Sequence, residues 1–164
     1  AVADDDAAID RLEHEIEELA QRELLSQSPM ALDLRFLLSV VRITPELERS
    51  GDLATHIANR AVDDLAGRLP DPVRAALSEM GALCTRMWAA AGEAWAQRDA
   101  GAAERIDRDD DRIDELHDQL VVDLCQGGGA LDDALQATLV ARFFERLGDH
   151  AVHITERIAY LAGV

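Results

Sequence analysis

The sequence predicts an all-α protein, and three observations carry that prediction. Apolar residues make up 48% of the chain but aromatics only 4%, with Ala and Leu supplying most of the rest. Such a mixture enters helices at little cost and lacks the aromatic and β-branched side chains that strands favour. Apolar residues also recur at helical spacing in five successive segments. Finally, one helical motif occurs twice in register, so the helices belong to a duplicated unit.

The first helix is expected from about Asp4 to Leu25, with Ile9, Leu12, Ile16 and Leu19 as its apolar stripe and Ser26-Gln27-Ser28-Pro29 as its end. The second runs from about Met30 to Leu65. Pro45 falls inside it, but the apolar period (Leu34, Leu37, Leu38, Val41, Leu47, Ile57) continues across. One helix kinked at the proline is therefore expected rather than two. A linker at Gly67–Pro72 follows, with Asp71 as N-cap and Pro72 in the first helical position. The third helix spans Pro72 to about Gln97. Its broad apolar face of Val73, Ala76, Leu77, Met80, Leu83, Cys84, Met87, Trp88 and Ala91 reads as core. Asp99 caps the fourth helix, which stops at Gly127-Gly128-Gly129, and the fifth covers about Leu131 to Leu161.

The duplication sets Glu48-Arg49-Ser50-Gly51-Asp52-Leu53-Ala54-Thr55-His56-Ile57-Ala58-Asn59-Arg60 against Glu145-Arg146-Leu147-Gly148-Asp149-His150-Ala151-Val152-His153-Ile154-Thr155-Glu156-Arg157, with eight of the thirteen positions identical. The preceding helices match as well: Asp6 and Asp10 answer Asp110 and Asp114. Each repeat thus joins an Asp-x-x-x-Asp helix to a Glu-x-x-x-Asp-x-x-x-His helix. The expected units are residues 1–67 and 71–164. The second has an extra helix in front, so by symmetry the first reads as truncated.

A net charge of −17 disfavours nucleic acid and anionic lipid as partners. It argues equally against a dedicated site for free phosphate, which wants clustered Arg and Lys or open helix N-termini. Cys84 and Cys125 lie in apolar helical stretches and read as buried free thiols of a reducing compartment. No apolar run reaches the length of a membrane span. No signal peptide is recognised, and the chain opens on Ala1 rather than Met.

Residues four apart on a helix stand one above the other, so Glu48 with Asp52, Glu145 with Asp149, Asp6 with Asp10 and Asp110 with Asp114 are like-charge pairs that repel unless a cation lies between them. In a chain with 33 acidic residues one such pair means little, and Glu13 with Glu17 reads as an ordinary solvated pair. Duplication singles out the other four. If the helices of a repeat pack antiparallel, four carboxylates can converge, as in metal sites built inside helical bundles. Asp, Glu and His donors suit Fe, Mn or Zn, and oxygen alone admits Mg or Ca. His56 and His153, one turn past the Asp, are candidate additional ligands. His14, His117 and His150 read as surface residues or as groups behind the ligands. Arg49 and Arg146 point off the Glu face, toward a neighbouring helix. Gly51 and Gly148 each cost about 1 kcal/mol of helix propensity, which implies close packing beside the site. No nucleophile-base set, phosphate loop or Cys-x-x-Cys motif is present.

On these residues the chain resembles a known family. Glu48-Arg49-Ser50-Gly51-Asp52-Leu53-Ala54 and Glu145-Arg146-Leu147-Gly148-Asp149-His150-Ala151 are similar to the twin signatures of the PhoU family, and Asp33-Leu34-Arg35 and Arg142-Phe143-Phe144 resemble their lead-ins. The resemblance implies two pseudo-symmetric three-helix bundles, here with the first helix of the N-terminal bundle absent. It implies a cytoplasmic regulator of phosphate uptake and signalling without enzymatic activity, acting on the ATPase of the phosphate ABC transporter and on a sensor histidine kinase, and often dimeric. It also implies metal ions, mono- or multinuclear Fe or Zn, with Mn, Ni or Mg compatible. Carried over, the ligands are Asp6, Asp10, Glu48 and Asp52 in one bundle and Asp110, Asp114, Glu145 and Asp149 in the other. The chain departs from the pattern at His56 and His153, where the family often has Asn, and at Pro45. Two other classes compete. A ferritin-like oxidase wants Glu-x-x-His, a spacing neither signature shows. A purely structural helical module would carry the same acidic faces without metal.

Overall fold

The computed structural model describes residues 2–26, 30–127 and 130–162, leaving aside the side chains of residues 2–6, 26 and 162. Helices account for nearly all of it: α1 (Val2–Ser26), α2 (Ala31–Val62), α3 (Leu65–Arg68), α4 (Asp71–Gln97), α5 (Ala103–Gly127) and α6 (Leu131–Ala162), with a short 3-10 turn at Ala100–Ala102. There is no strand among the described residues. The connectors at Gln27-Ser28-Pro29 and Gly128-Gly129 lie outside them.

Helix α2 runs without interruption through Pro45, as the unbroken apolar period implies. It stops three residues earlier than expected, because Asp64 takes a left-handed conformation (φ 52°) and the chain restarts as the single turn of α3. Asp71 is not the cap of α4 but its first residue. The extended Pro70 (ψ 147°) precedes it, and the Asp71 carboxylate pairs with Arg74 instead. Asp99 does cap: its side chain accepts from Gly101 N–H at 2.9 Å and so opens the turn into α5.

Helices α4, α5 and α6 form a complete three-helix bundle. Arg86 pairs with Asp109 and Arg112 with Glu79, both at 2.9 Å, so α4 and α5 run antiparallel. Cys84 and Trp88 donate to the carbonyls of Phe144 and Leu147, at 3.2 and 3.0 Å, so α4 and α6 run parallel. Met80, Met87, Ile106, Ile113, Leu120 and Ile158 are fully buried between them. Helix α1 packs on α2, and no other element makes an extended contact with it among the described residues.

The two repeats meet where α2 crosses α6 antiparallel. His150 is 5% exposed and lies between two groups of α2. Its Nδ1 is 2.8 Å from Ser50 Oγ and its Nε2 is 3.3 Å from Glu46 Oε2. The Ser50 hydroxyl proton goes to the Glu46 carbonyl at 2.6 Å, which makes the imidazole Nδ1–H the donor to Ser50. Farther along, Arg60 donates to Gln136 at 2.8 Å and lies over the Phe143 ring.

Both cysteines are free, but only Cys84 is buried; Cys125 is exposed, because it falls on the solvent side of the last turn of α5. Burial, with Asp110 adding to it, pushes the Cys84 thiol up to about 12. A thiol reagent at pH 8 should therefore titrate one cysteine in the folded protein and two in denaturant, and Cys125→Ser should abolish the fast phase. Two equally fast thiols in the native state would contradict the packing of α4.

Candidate metal centre

The carboxylates singled out by the repeat stand on facing helices. In the second repeat, Asp110 and Asp114 come from α5 and Glu145 and Asp149 from α6. Gly148 brings the two helices together: a Cβ there would collide with a carboxylate oxygen of Asp110 and would make ordinary contact with Ile113 and Met87 at 3.4 and 3.5 Å. Any side chain here would have to displace the Asp110 carboxylate, the crowding beside the site that the repeated glycine suggested.

The four groups feel each other. Burial pushes the Asp110 carboxyl up to about 7, and Asp149 and then Asp114 add to it. Burial likewise raises Asp114, followed by Glu145 and Asp149. Asp114 and Asp149 are exposed, Asp110 half-buried, and Glu145 only 19% exposed. One Glu145 oxygen pairs with Arg142, an i,i+3 neighbour on the same helix. The other, Oε2, is buried and has no hydrogen-bond partner. A buried carboxylate oxygen left without a donor is costly and calls for a cation or a proton.

The first repeat shows part of the same arrangement among the described residues. Burial raises Glu48, and Asp52, Glu13 and Asp10 add to it in that order. Asp10 and Asp52 are exposed. The Asp6 side chain lies outside the described residues.

His56 and His153 do not join these rows. His56 stacks on Phe143 of α6 with centroids 5.5 Å apart, and His153 Nδ1 lies 3.9 Å from Glu46 of α2. Position 46 is the repeat counterpart of 143, and 56 of 153, so one contact is made twice, at opposite ends of the α2–α6 seam. His14 is a surface residue paired with Glu18 at 3.5 Å. His150 is not at the surface, since the seam buries it. Arg49 pairs within its own helix, with Glu46 at 2.8 Å, rather than with a neighbour.

Two further residues approach the carboxylate rows: His117, which the sequence left as a surface residue or a group behind the ligands, and Glu13, which read as an ordinary solvated acid. His117 Nε2 is 4.0 Å from the unpartnered Glu145 Oε2, and Glu13 faces Glu48. They hold the same place in the duplicated helix, three residues beyond Asp114 and Asp10. Extending the register by one turn would have found both.

Among the described residues, no three His, Cys, Asp or Glu side chains stand close enough to hold an ion as they are placed. The donor chemistry itself suits a cation: four carboxylates on one rim, an imidazole at its edge, and an oxygen that is buried and unpaired.

A duplicated helical unit with facing carboxylate rows defines the class: an all-helical bundle built from two repeats. The PhoU domain model matches residues 1–61 and 77–158, and the chain belongs to that family. It is 32% identical to phosphate-specific transport system accessory protein PhoU homolog 2 of Mycobacterium tuberculosis, over 98% of this chain and 77% of that one. Its fold is similar to the crystal structure of PhoU from Pseudomonas aeruginosa, with a TM-score of 0.91, 28% identity, and coverage of 99% of this chain and 79% of that one. It is also similar to the phosphate transport system regulatory protein PhoU from Streptococcus pneumoniae, with a TM-score of 0.85, 27% identity, and coverage of 98% and 77%.

The raised carboxyls set a pH dependence. A carboxyl whose folded pKa exceeds its unfolded value stabilises the fold when protonated. Asp110 therefore contributes stability below about pH 4, and that contribution is lost as pH rises toward about 7. In chelator, Tm should fall between pH 5 and pH 8, and Asp110→Asn should flatten the slope and raise Tm at pH 8. An unchanged slope in the variant would show that Asp110 is not strained by its neighbours.

Proposed function

We propose that this protein is a cytoplasmic, non-enzymatic regulator of phosphate uptake and phosphate signalling. It works as an adaptor, read by the ATPase of a phosphate ABC transporter and by a sensor histidine kinase, and it acts as a homodimer. Family membership supports the phosphate role. The charge supports the adaptor role, since a surface of net −17 repels free phosphate and suits contacts with basic protein surfaces. No helix among the described residues is long and apolar enough to cross a membrane, which fits a peripheral position at the transporter.

We further propose that the carboxylate rows hold metal ions, Fe or Zn in the first instance. The observation that carries this is the buried, unpartnered Glu145 Oε2 beside Asp110, Asp114 and Asp149. A bound cation would supply the charge that lets all four ionise together. Asp110, Asp114, Glu145 and Asp149 would hold it in the second repeat, and Asp10, Glu48 and Asp52, with Asp6, in the first.

Elemental analysis of gently purified protein should find Fe or Zn. Adding that metal to chelated protein should raise stability by about 2.7 kcal/mol at a hundredfold excess over Kd. Glu145→Gln with Asp149→Asn should remove the second site and leave helicity unchanged; undiminished stoichiometry would refute the assignment. For the adaptor role, the protein should retain the transporter ATPase or the sensor kinase in a pull-down at physiological salt. Retention of neither would end that reading, whatever the metal result.

A further inference from the structure

The duplication relates the two ends of the α2–α6 seam, yet the two ends are filled differently. At one end His56 stacks on Phe143, and Arg60 donates to Gln136 at 2.8 Å and lies over the same ring. At the other end His153 and Arg157 take the places of His56 and Arg60, but Glu46 replaces the phenyl ring and Ser39 the glutamine. Ser39 is buried and donates its hydroxyl to the Arg35 carbonyl at 2.9 Å, so it does not hold Arg157 as Gln136 holds Arg60. Arg42 stands in the place of Leu139. The result is a polar pocket of about 360 Å³ between α2 and α6, lined by Arg42, Ile43, Glu46, His153, Glu156 and Arg157. Arg42, Glu156 and Arg157 make no hydrogen bond or ion pair among the described residues.

We propose that this pocket binds a small phosphomonoester that carries free hydroxyl groups, a sugar or polyol phosphate. Two guanidinium forks on different helices offer donors from two directions. A carboxylate has one two-oxygen edge and answers one fork, whereas a phosphoryl group has three terminal oxygens and answers both. Glu156 has no partner and accepts from a ligand hydroxyl. Glu46 is engaged by Arg49 at 2.8 Å and by His150 at 3.3 Å, which leaves it further lone pairs for a second hydroxyl. The volume falls within the range of about 300–1,000 Å³ typical of small-molecule sites. Local charge overrides the net −17 at this place. Burial holds the His150 imidazole below its ordinary pKa, Glu46 opposes, and Arg49, Arg146 and His153 press it lower still, so positive charge is felt inside the seam. Exposed charges more than about 8 Å away are largely screened at physiological salt, so the remote acids weaken the site less than the adjacent guanidiniums strengthen it. The regulatory role proposed above gives the pocket its use, as a reader of phosphorylated metabolites, and only that use rests on the role.

The probe is radiolabelled glucose 6-phosphate, followed by equilibrium dialysis against the full chain in chelator at physiological salt. One saturable site per chain is expected, and glucose, sulfate and inorganic phosphate should each compete at least tenfold less well than the unlabelled ester. Arg42→Gln and Arg157→Gln should each weaken binding at least tenfold with unchanged helicity, and Arg157→Lys should weaken it less, since it keeps the charge and loses the fork. Glu156→Ala should weaken the ester but strengthen inorganic phosphate, because it removes a hydroxyl acceptor and a like charge together. Arg74→Gln removes the same charge at the α3 end of α4, where Arg74 reaches the Ala66 and Leu69 carbonyls, and should leave binding unchanged. Three results would each overturn the proposal: no saturable binding of the ester, an equal loss in Arg74→Gln, or inorganic phosphate competing as well as the ester. Neither metal nor transporter nor kinase is present in the dialysis, so its failure leaves those readings standing and their failure leaves the pocket.

Discussion

The contact on which everything else depends is the antiparallel seam of α2 and α6. Each of these helices carries its repeat's Glu-x-x-x-Asp row on one side and faces the other repeat with another side. The seam therefore fixes where the two rows stand. Its centre is polar. Burial holds the His150 imidazole below its ordinary pKa, partly countered by Glu46; its Nδ1–H donates to Ser50, and Nε2 lies beside the Glu46 carboxylate. A buried polar cluster of this kind adds little net stability against an apolar one, but it is expensive to misalign. Sliding α2 by one residue against α6 would leave an imidazole without partners, so the cluster works chiefly as a register pin.

Why the carboxylate rows persist follows from where that pin puts them. The α5–α6 contact closes over Gly148, and the small backbone lets Asp110 sink partway into the bundle. Sinking costs a carboxylate its hydration, and the neighbours at Asp114, Glu145 and Asp149 add like charge. Arg142 answers one oxygen of Glu145 and no more. The fold thus stores a local electrostatic cost that a proton or a cation relieves.

Much of this was legible in the sequence. Helical period and the duplicated motif located five of the helices and placed the carboxylates on facing elements, because i,i+4 geometry is local and survives any packing. The residues that were misread are those whose role depends on a distant partner. His56 and His153 share a face with the carboxylates by spacing, yet the seam claims them. His150, one position past the motif Asp, reads as surface until α2 is laid beside it. Cys125 follows an apolar stretch but rotates to solvent in the last turn of α5. Glu13 was hidden by abundance: among so many acids only repeat position separates it from its neighbours, and the register had been followed one turn too short.

The two repeats are equal in motif and unequal in support. The largest fully buried apolar side chains, from Val73 and Met80 to Ile158, belong to α4, α5 and α6. Among the described residues the first repeat contributes Ala20, Ile43 and Leu65 as its buried apolar residues, and its α1 makes its extended contact with α2. Folding free energy therefore resides mostly in the second repeat, and α2 receives its stability by docking on α6. A helix anchored on one face opens at a lower free energy than one anchored on two. Helix α1 is consequently the element most easily displaced, and it carries Asp10 and Glu13, which add like charge beside Glu48 of α2.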